Sequence, residues 1–131
     1  MERKTSPNVA TIQRLYDALC ERDPAGLAAV CDPQVSWEIT PGFPYGGTFI
    51  GIESVFKDFF APLGQAFEDW RPEVENILDA GDEVIGLGRY RTRAKATGKV
   101  MTAGFAHVWS VQDGKVIRLR QYADTVQLVE K

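Results

Sequence analysis

The second half of the chain is punctuated by three turn dipeptides, Gly81-Asp82, Thr97-Gly98 and Asp113-Gly114, each set between segments in which apolar and polar residues alternate. These segments, "RPEVENILDA", "EVIGLGRYRTRAKA", "KVMTAGFAHVWSVQ" and "KVIRLRQYADTVQLV", predict four long strands joined by hairpins. Strands linked so closely lie side by side, so this half is expected to form an antiparallel meander.

The first half reads differently. From Asn8 to about Arg22, Val9, Ile12, Leu15, Tyr16 and Leu19 recur at helical spacing, with Ser6 or Asn8 available as N-cap. In "DPAGLAAVCD" a short second helix is expected, capped by Asp23, started by Pro24, with Leu27, Val30 and Cys31 on one face and Pro33 ending it. "VSWEIT" alternates Val35, Trp37 and Ile39 against polar residues, the pattern of a short half-buried strand. "PGFPYGG" holds too many prolines and glycines for regular structure, yet carries Phe43 and Tyr45; it reads as a lid or rim. From Ile52 to Phe67, Val55, Phe56, Phe59, Phe60 and Leu63 predict a third helix, interrupted or ended near Pro62.

Helices first and a long sheet second predict an α+β fold: a curved antiparallel sheet, cone-shaped, wrapped around the N-terminal helices and enclosing a pocket. A chain of 131 residues suits one domain, 1–131 with a core at about 8–126. With 44% hydrophobic and 25% charged residues, the disordered and fibrous classes are excluded. No apolar run approaches the roughly 20 residues of a membrane span, and "MERKTSPNVA" lacks the apolar core of a signal peptide, so a cytoplasmic location and no membrane partner are expected. The net charge of -3 leaves no basic excess, so nucleic acid is not an expected partner. Cys20 and Cys31 form no C-x-x-C pair and are expected as small buried hydrophobes; one histidine cannot complete a zinc site with them. "GLGRYR" lacks a third glycine and sits inside a strand, so it is no dinucleotide loop, and GxSxG, P-loop and HExxH motifs are absent from the sequence.

Candidate chemistry concentrates in "FAHVWSVQDGKVIRLRQYAD", which carries the one histidine of the chain. If Asp113-Gly114 is a two-residue turn, Trp109 faces Arg118, His107 faces Arg120, Phe105 faces Tyr122 and Ala103 faces Asp124. One face then gathers His107, Phe105, Trp109, Arg120, Tyr122 and Asp124. A two-residue turn at Thr97-Gly98 likewise sets Gly88 opposite His107, Gly86 opposite Trp109 and Tyr90 opposite Phe105, leaving space beside the large rings. A three-residue turn with a glycine bulge would instead put His107 and Asp124 on opposite faces.

With "IQRLYDAL", "VSWEI", "GTFIGIESVFKDFF", "GDEVIGLGRYR", "ATGK" and above all "FAHVWSVQDGKVIRLRQYADT", the chain resembles the SnoaL-like polyketide cyclases and related ketosteroid isomerase-like proteins of the nuclear transport factor 2-like superfamily. The resemblance implies a cone-shaped α+β barrel, a homodimer packed through the outer sheet face, and an apolar cavity between sheet and helices. It maps the cavity histidine and aspartate of the cyclases onto His107 and Asp124. The sequence departs from the steroid isomerases, whose early aspartate base has no counterpart in "VSWEI", where Glu38 is the carboxylate.

Two functions follow as expectations. The first is acid-base catalysis without cofactor or metal on a small apolar carbonyl compound, of isomerase, cyclase or lyase (dehydratase) type. Asp124 would be the base and His107 its partner or the electrophile, with Tyr122 or Tyr16 donating to an enolate oxygen. Trp37, Phe43, Tyr45, Phe56, Phe60, Phe105 and Trp109 would shape the cavity, with Arg120 as its cation. The second is a non-catalytic module that holds an apolar ligand or a protein partner. Small residues Gly104, Ala106 and Ala123, expected opposite His107, favour homodimerisation.

Overall fold

Ser6 is the residue that starts the first helix: its hydroxyl accepts the Val9 amide at 3.1 Å, and Pro7 occupies the first helical turn, where no donor is missed. The computed structural model describes residues 6–128. Helix α1 (Pro7–Glu21) buries Ile12, Leu15 and Tyr16 and stops at Arg22, whose φ of 54° turns the chain. Asn8 instead donates its side-chain amide to the Gly81 carbonyl, 3.0 Å away. Asp23 caps α2 (Pro24–Val30) through the Gly26 amide at 3.0 Å.

Helix α2 ends one residue earlier than expected, because Cys31 already opens β1 (Cys31–Ile39). Pro33 lies within that strand. Lacking an N–H it cannot extend the ladder, and it falls where the register against the last strand breaks, between Cys31 and Ser36. Val35, Trp37 and Ile39 face inward as the alternation predicts. A four-residue edge strand, β2 (Gly47–Ile50), pairs antiparallel with β1 and is too short to show an alternating pattern in the sequence.

The third helical region is continuous but not uniform. α3 (Ile52–Ser54) runs into a π-helical stretch at Val55–Phe60 and then α4 (Ala61–Ala66). Pro62 sits in the first turn of α4, so the wider π turns precede the proline. Helix ends at Ala66, and Phe67 already belongs to the sheet.

β3 (Phe67–Ala80), β4 (Glu83–Ala94), β5 (Val100–Gln112) and β6 (Lys115–Ala123) form the expected meander, followed by a 3-10 turn at Thr125–Leu128. The sheet order is β2-β1-β6-β5-β4-β3, antiparallel except for the β1–β6 pair, which is parallel. The sheet is curved and open, with β2 and β3 as its edges. One face buries the helices; the other carries the arginines Arg89, Arg91 and Arg93, all exposed.

Two register corrections decide the site. Between β4 and β5 the pairing runs on to Lys99, whose carbonyl accepts the Ala94 amide at 2.9 Å, so the turn itself is four residues, Lys95–Gly98. Gly86 therefore faces His107, Gly88 faces Phe105, Val84 faces Trp109, and Tyr90 faces Ala103. This two-residue shift leaves every side chain on its expected face.

Between β5 and β6, Asp113 (φ 51°) and Gly114 (φ 75°) do make the two-residue turn, with Gln112 opposite Lys115. Beyond it a bulge intervenes. Val111 faces Val116 but Ser110 faces Arg118, so Ile117 is extra, and the rest of β6 changes sides. His107 faces Gln121, Trp109 faces Leu119 and Phe105 faces Ala123; Arg118, Arg120 and Tyr122 point to the outer face. The cause is in the sequence: Val116 and Leu119 are three residues apart, and only an inserted residue buries both. An unbroken strand would have buried Arg118 and Arg120 instead. The same switch moves Ala123 inward, so the outer face keeps only Gly104 and Ala106 of the three small residues expected there. Cys31 is buried and Cys20 is exposed, which corrects the expectation for the second.

Candidate functional site

A cavity of about 520 Å³ opens between the helices and the inner face of the sheet, within the range of small-molecule sites. Of the expected lining residues, Trp37, Phe43, Phe56, Phe60 and Trp109 contribute to its wall. Phe59, Phe67, Trp70 and Tyr90 complete the aromatic surface, joined by Leu27, Leu63 and Leu119. Its charged residues, Arg22, Asp23, Glu68, Asp69 and Lys95, are all exposed and so stand at the mouth. There Arg22 pairs with Asp69 at 3.2 Å across the gap between α1 and β3.

His107 lies at the inner end, 3% exposed, stacked on Phe105 with ring centroids 4.0 Å apart and planes 14° from parallel. Both ring nitrogens are engaged. Tyr16 Oη is 2.7 Å from Nδ1, and Tyr90 Oη is 2.5 Å from Nε2. Each phenol also receives a fixed N–H: Trp109 Nε1 donates to Tyr16 at 2.9 Å, and Gln121 Nε2 donates to Tyr90 at 2.9 Å. The orientation of the Gln121 amide is set from behind, because its Oε1 accepts the Thr40 backbone N–H at 3.3 Å. The Thr40 hydroxyl donates to the Gln121 carbonyl and ties β1 to β6 at the same point.

Local sequence explains why these groups meet. Tyr16 lies on the inward stripe of α1, and its hydroxyl passes over Gly86, where a Cβ would come within 2.0 Å of the phenol oxygen. At Gly88 a Cβ would meet the Glu73 carbonyl oxygen at 2.1 Å. The space beside these glycines is therefore already taken, by the Tyr16 hydroxyl and by the neighbouring strand, rather than left for a ligand.

The electrostatics are those of neutral groups in a dry place. Burial lowers the pKa of His107 from 6.5 to about 3, so the imidazole is uncharged at neutral pH. Burial raises both phenols well above their ordinary range, against smaller opposite effects from the Trp109 bond to Tyr16 and the Gln121 bond to Tyr90. The set can donate and accept hydrogen bonds but carries no charge.

Four residues expected at the site are elsewhere. Asp124 is exposed just past β6, its amide donating to Gly104 O at 3.0 Å, and Tyr122 is 54% exposed on the outer face. Arg120 is also outside, bonded to Glu83 at 3.0 Å. Tyr45, at φ 59°, is turned out of its loop, 47% exposed, while Phe43 from the same loop is buried against Tyr90. Phe105 and Tyr16 support His107 without lining the cavity. The shared face of His107, Tyr122 and Asp124 thus does not form. Tyr90 and Gln121 take their place. Tyr90 was detectable from strand parity, since it is an even number of residues from Gly86; Gln121 was hidden by the bulge.

The sequence profile of the SnoaL-like domain family matches residues 12–119. Among solved structures, an NTF2-like protein of Burkholderia thailandensis is similar at 32% identity over 95% of both chains, with a TM-score of 0.88. TerC, co-crystallised with polyporic acid, is similar at 28% identity over 94% of this chain and 95% of its own, with a TM-score of 0.85. A protein described as a SnoaL-like polyketide cyclase from Jannaschia shares the fold, at 21% identity over 97% of this chain and 94% of its own, with a TM-score of 0.82. No curated protein matches the chain in sequence. Among the described residues, no helix is long and apolar enough to cross a membrane.

Proposed function

The chain belongs to the SnoaL-like domain family, and on that footing we propose that it binds a small, largely apolar carbonyl compound in the cavity and polarises its oxygen with neutral hydrogen-bond donors. One observation carries the reading: a cavity walled by aromatic rings whose buried lining includes the polar groups of His107 and Tyr90. Stabilising developing negative charge on a carbonyl oxygen is the half of isomerase, cyclase or dehydratase chemistry that such a site supports. The other half, proton abstraction, would fall to a group other than Asp124, which is exposed and does not line the cavity. TerC was co-crystallised with polyporic acid, and a small organic ligand is the matching expectation for this chain.

A second reading, retention of the ligand without turnover, is favoured by a specific observation. The carboxylates among the lining residues, Asp23, Glu68 and Asp69, are all exposed at the mouth, so the deep cavity offers no charged base.

The chain's three tryptophans, Trp37, Trp70 and Trp109, all line the cavity, so intrinsic fluorescence is a direct probe. Titration with a panel of aromatic and alicyclic ketones is expected to quench it with saturation at micromolar concentration. Loss of α-deuterium from a bound ketone, followed by NMR, separates the two readings: exchange above the solution rate supports catalysis, and its absence leaves binding alone. A panel without any saturating member would sink both.

A further inference from the structure

The hydrogens of the buried chain cannot all be used within it. Trp109 and Gln121 each supply one N–H, Tyr16 and Tyr90 one O–H each, and a neutral imidazole one N–H. The chain has four contacts, so one tyrosine hydrogen is left over. Which tyrosine holds it depends on the His107 tautomer.

With the proton on Nδ1, His107 would donate to Tyr16, which already accepts from Trp109, and the spare hydrogen would be that of Tyr16. That hydroxyl is pressed against Gly86 and does not line the cavity, so the hydrogen would be buried without a partner, a costly state. With the proton on Nε2, Tyr16 donates to Nδ1, and Nε2 donates to Tyr90, which also accepts from Gln121. The spare hydrogen is then that of Tyr90, a residue of the cavity wall. Gln121 cannot absorb it, because the Thr40 N–H holds its oxygen turned away.

We infer that His107 is the Nε2-protonated tautomer and that Tyr90 is the specificity-determining donor of the cavity, its hydroxyl hydrogen presented to a hydrogen-bond acceptor on the ligand. This rests on the proposed use of the cavity and names the atom that recognises the carbonyl. Gln121 is the positioning residue behind it. The site should favour a ketone over an otherwise similar hydrocarbon.

Two measurements test this. The chain has a single histidine, so a long-range proton–nitrogen correlation spectrum of the 15N-labelled protein reads one imidazole only. The expected pattern is an unprotonated Nδ1 and a protonated Nε2; the opposite pattern overturns the inference without any ligand or variant. The second compares 2-acetylnaphthalene with 2-ethylnaphthalene. The ketone should bind roughly five- to tenfold tighter, as one net hydrogen bond allows, although it is the more water-soluble of the two. Its 13C-labelled carbonyl should move downfield on binding to the wild-type protein. In Tyr90→Phe the preference should fall to about one. Equal binding of the two compounds by the wild-type protein overturns the inference and leaves the cavity reading standing. Binding of neither brings down the cavity reading and the inference with it.

Discussion

On the inner face of β5 and β6, His107 and Gln121 meet only uncharged partners, whereas one residue away on the outer face Arg118 and Arg120 reach Glu38 and Glu83. Both faces are rich in polar atoms. Inside, desolvation suppresses charge: the imidazole stays neutral and the phenols stay protonated, so hydrogen bonds must be balanced atom by atom. Outside, solvent supports ionisation, and the Arg118 hydrogen bond holds the Glu38 carboxyl below its usual range. The same strands therefore carry two chemistries, and the parity of a residue decides which one it joins.

The sharpest way to break this division is to put a charge on the wrong side. Leu119→Arg places a cation opposite Trp109, at a position 2% exposed, and should cost about 4 kcal/mol or more, or abolish cooperative unfolding in urea. A cost below about 1 kcal/mol would contradict the inward placement of Leu119.

A smaller effect separates the faces by pH. The folded pKa of His107, about 3, lies below the unfolded value near 6.5, so at low pH the unfolded chain takes up a proton that the folded chain refuses. Stability from this group is fully present above pH 6.5 and is lost as pH falls towards 3, at about 1.4 kcal/mol per unit. Between pH 6.5 and 5 the wild-type protein should lose about 2 kcal/mol more than His107→Gln, read from urea midpoints. Parallel losses would mean that His107 is solvated or charged.

Outer-face changes should register least. Arg120→Ala removes a pair in which both side chains are about a third or more exposed, and should cost about 0.5 kcal/mol, less in high salt. Asp124→Asn should leave ketone affinity within about twofold of wild type, given its exposed position. A tenfold loss for Asp124→Asn would return that residue to the site.

How much of this was legible follows from the kind of signal each feature left. The meander, α1 and the inward face of β1 rest on periodicities carried by several residues each, such as Val35, Trp37 and Ile39, and the chain folds as they indicate. The turn at Asp113-Gly114 was also readable, since both residues accept positive φ. Side-chain parity after the turn was not, because it hinges on a single extra residue at Ile117, and the three-residue spacing of Val116 and Leu119 shows it only when weighed against burying two arginines. Burial also separates residues that composition treats alike. Phe43 and Tyr45 are both aromatics of one glycine-rich loop, yet one packs against Trp70 and Tyr90 and the other faces solvent. The hydrogen-bond chain around His107 joins α1, β4, β5 and β6, and no local pattern announces it.

The bulge at Ile117 also bears on descent. Gain of one codon just past it, with the bulge kept, would turn the rest of β6 to the opposite parity, carrying Arg118, Arg120 and Tyr122 to the cavity side and sending Leu119 and Gln121 out, with no residue changed in identity. A lineage with this scaffold therefore has, one insertion away, a site with a phenol and guanidinium groups in place of a neutral one. Insertions and deletions in β6 are a route to new chemistry that substitution counts between relatives would overlook.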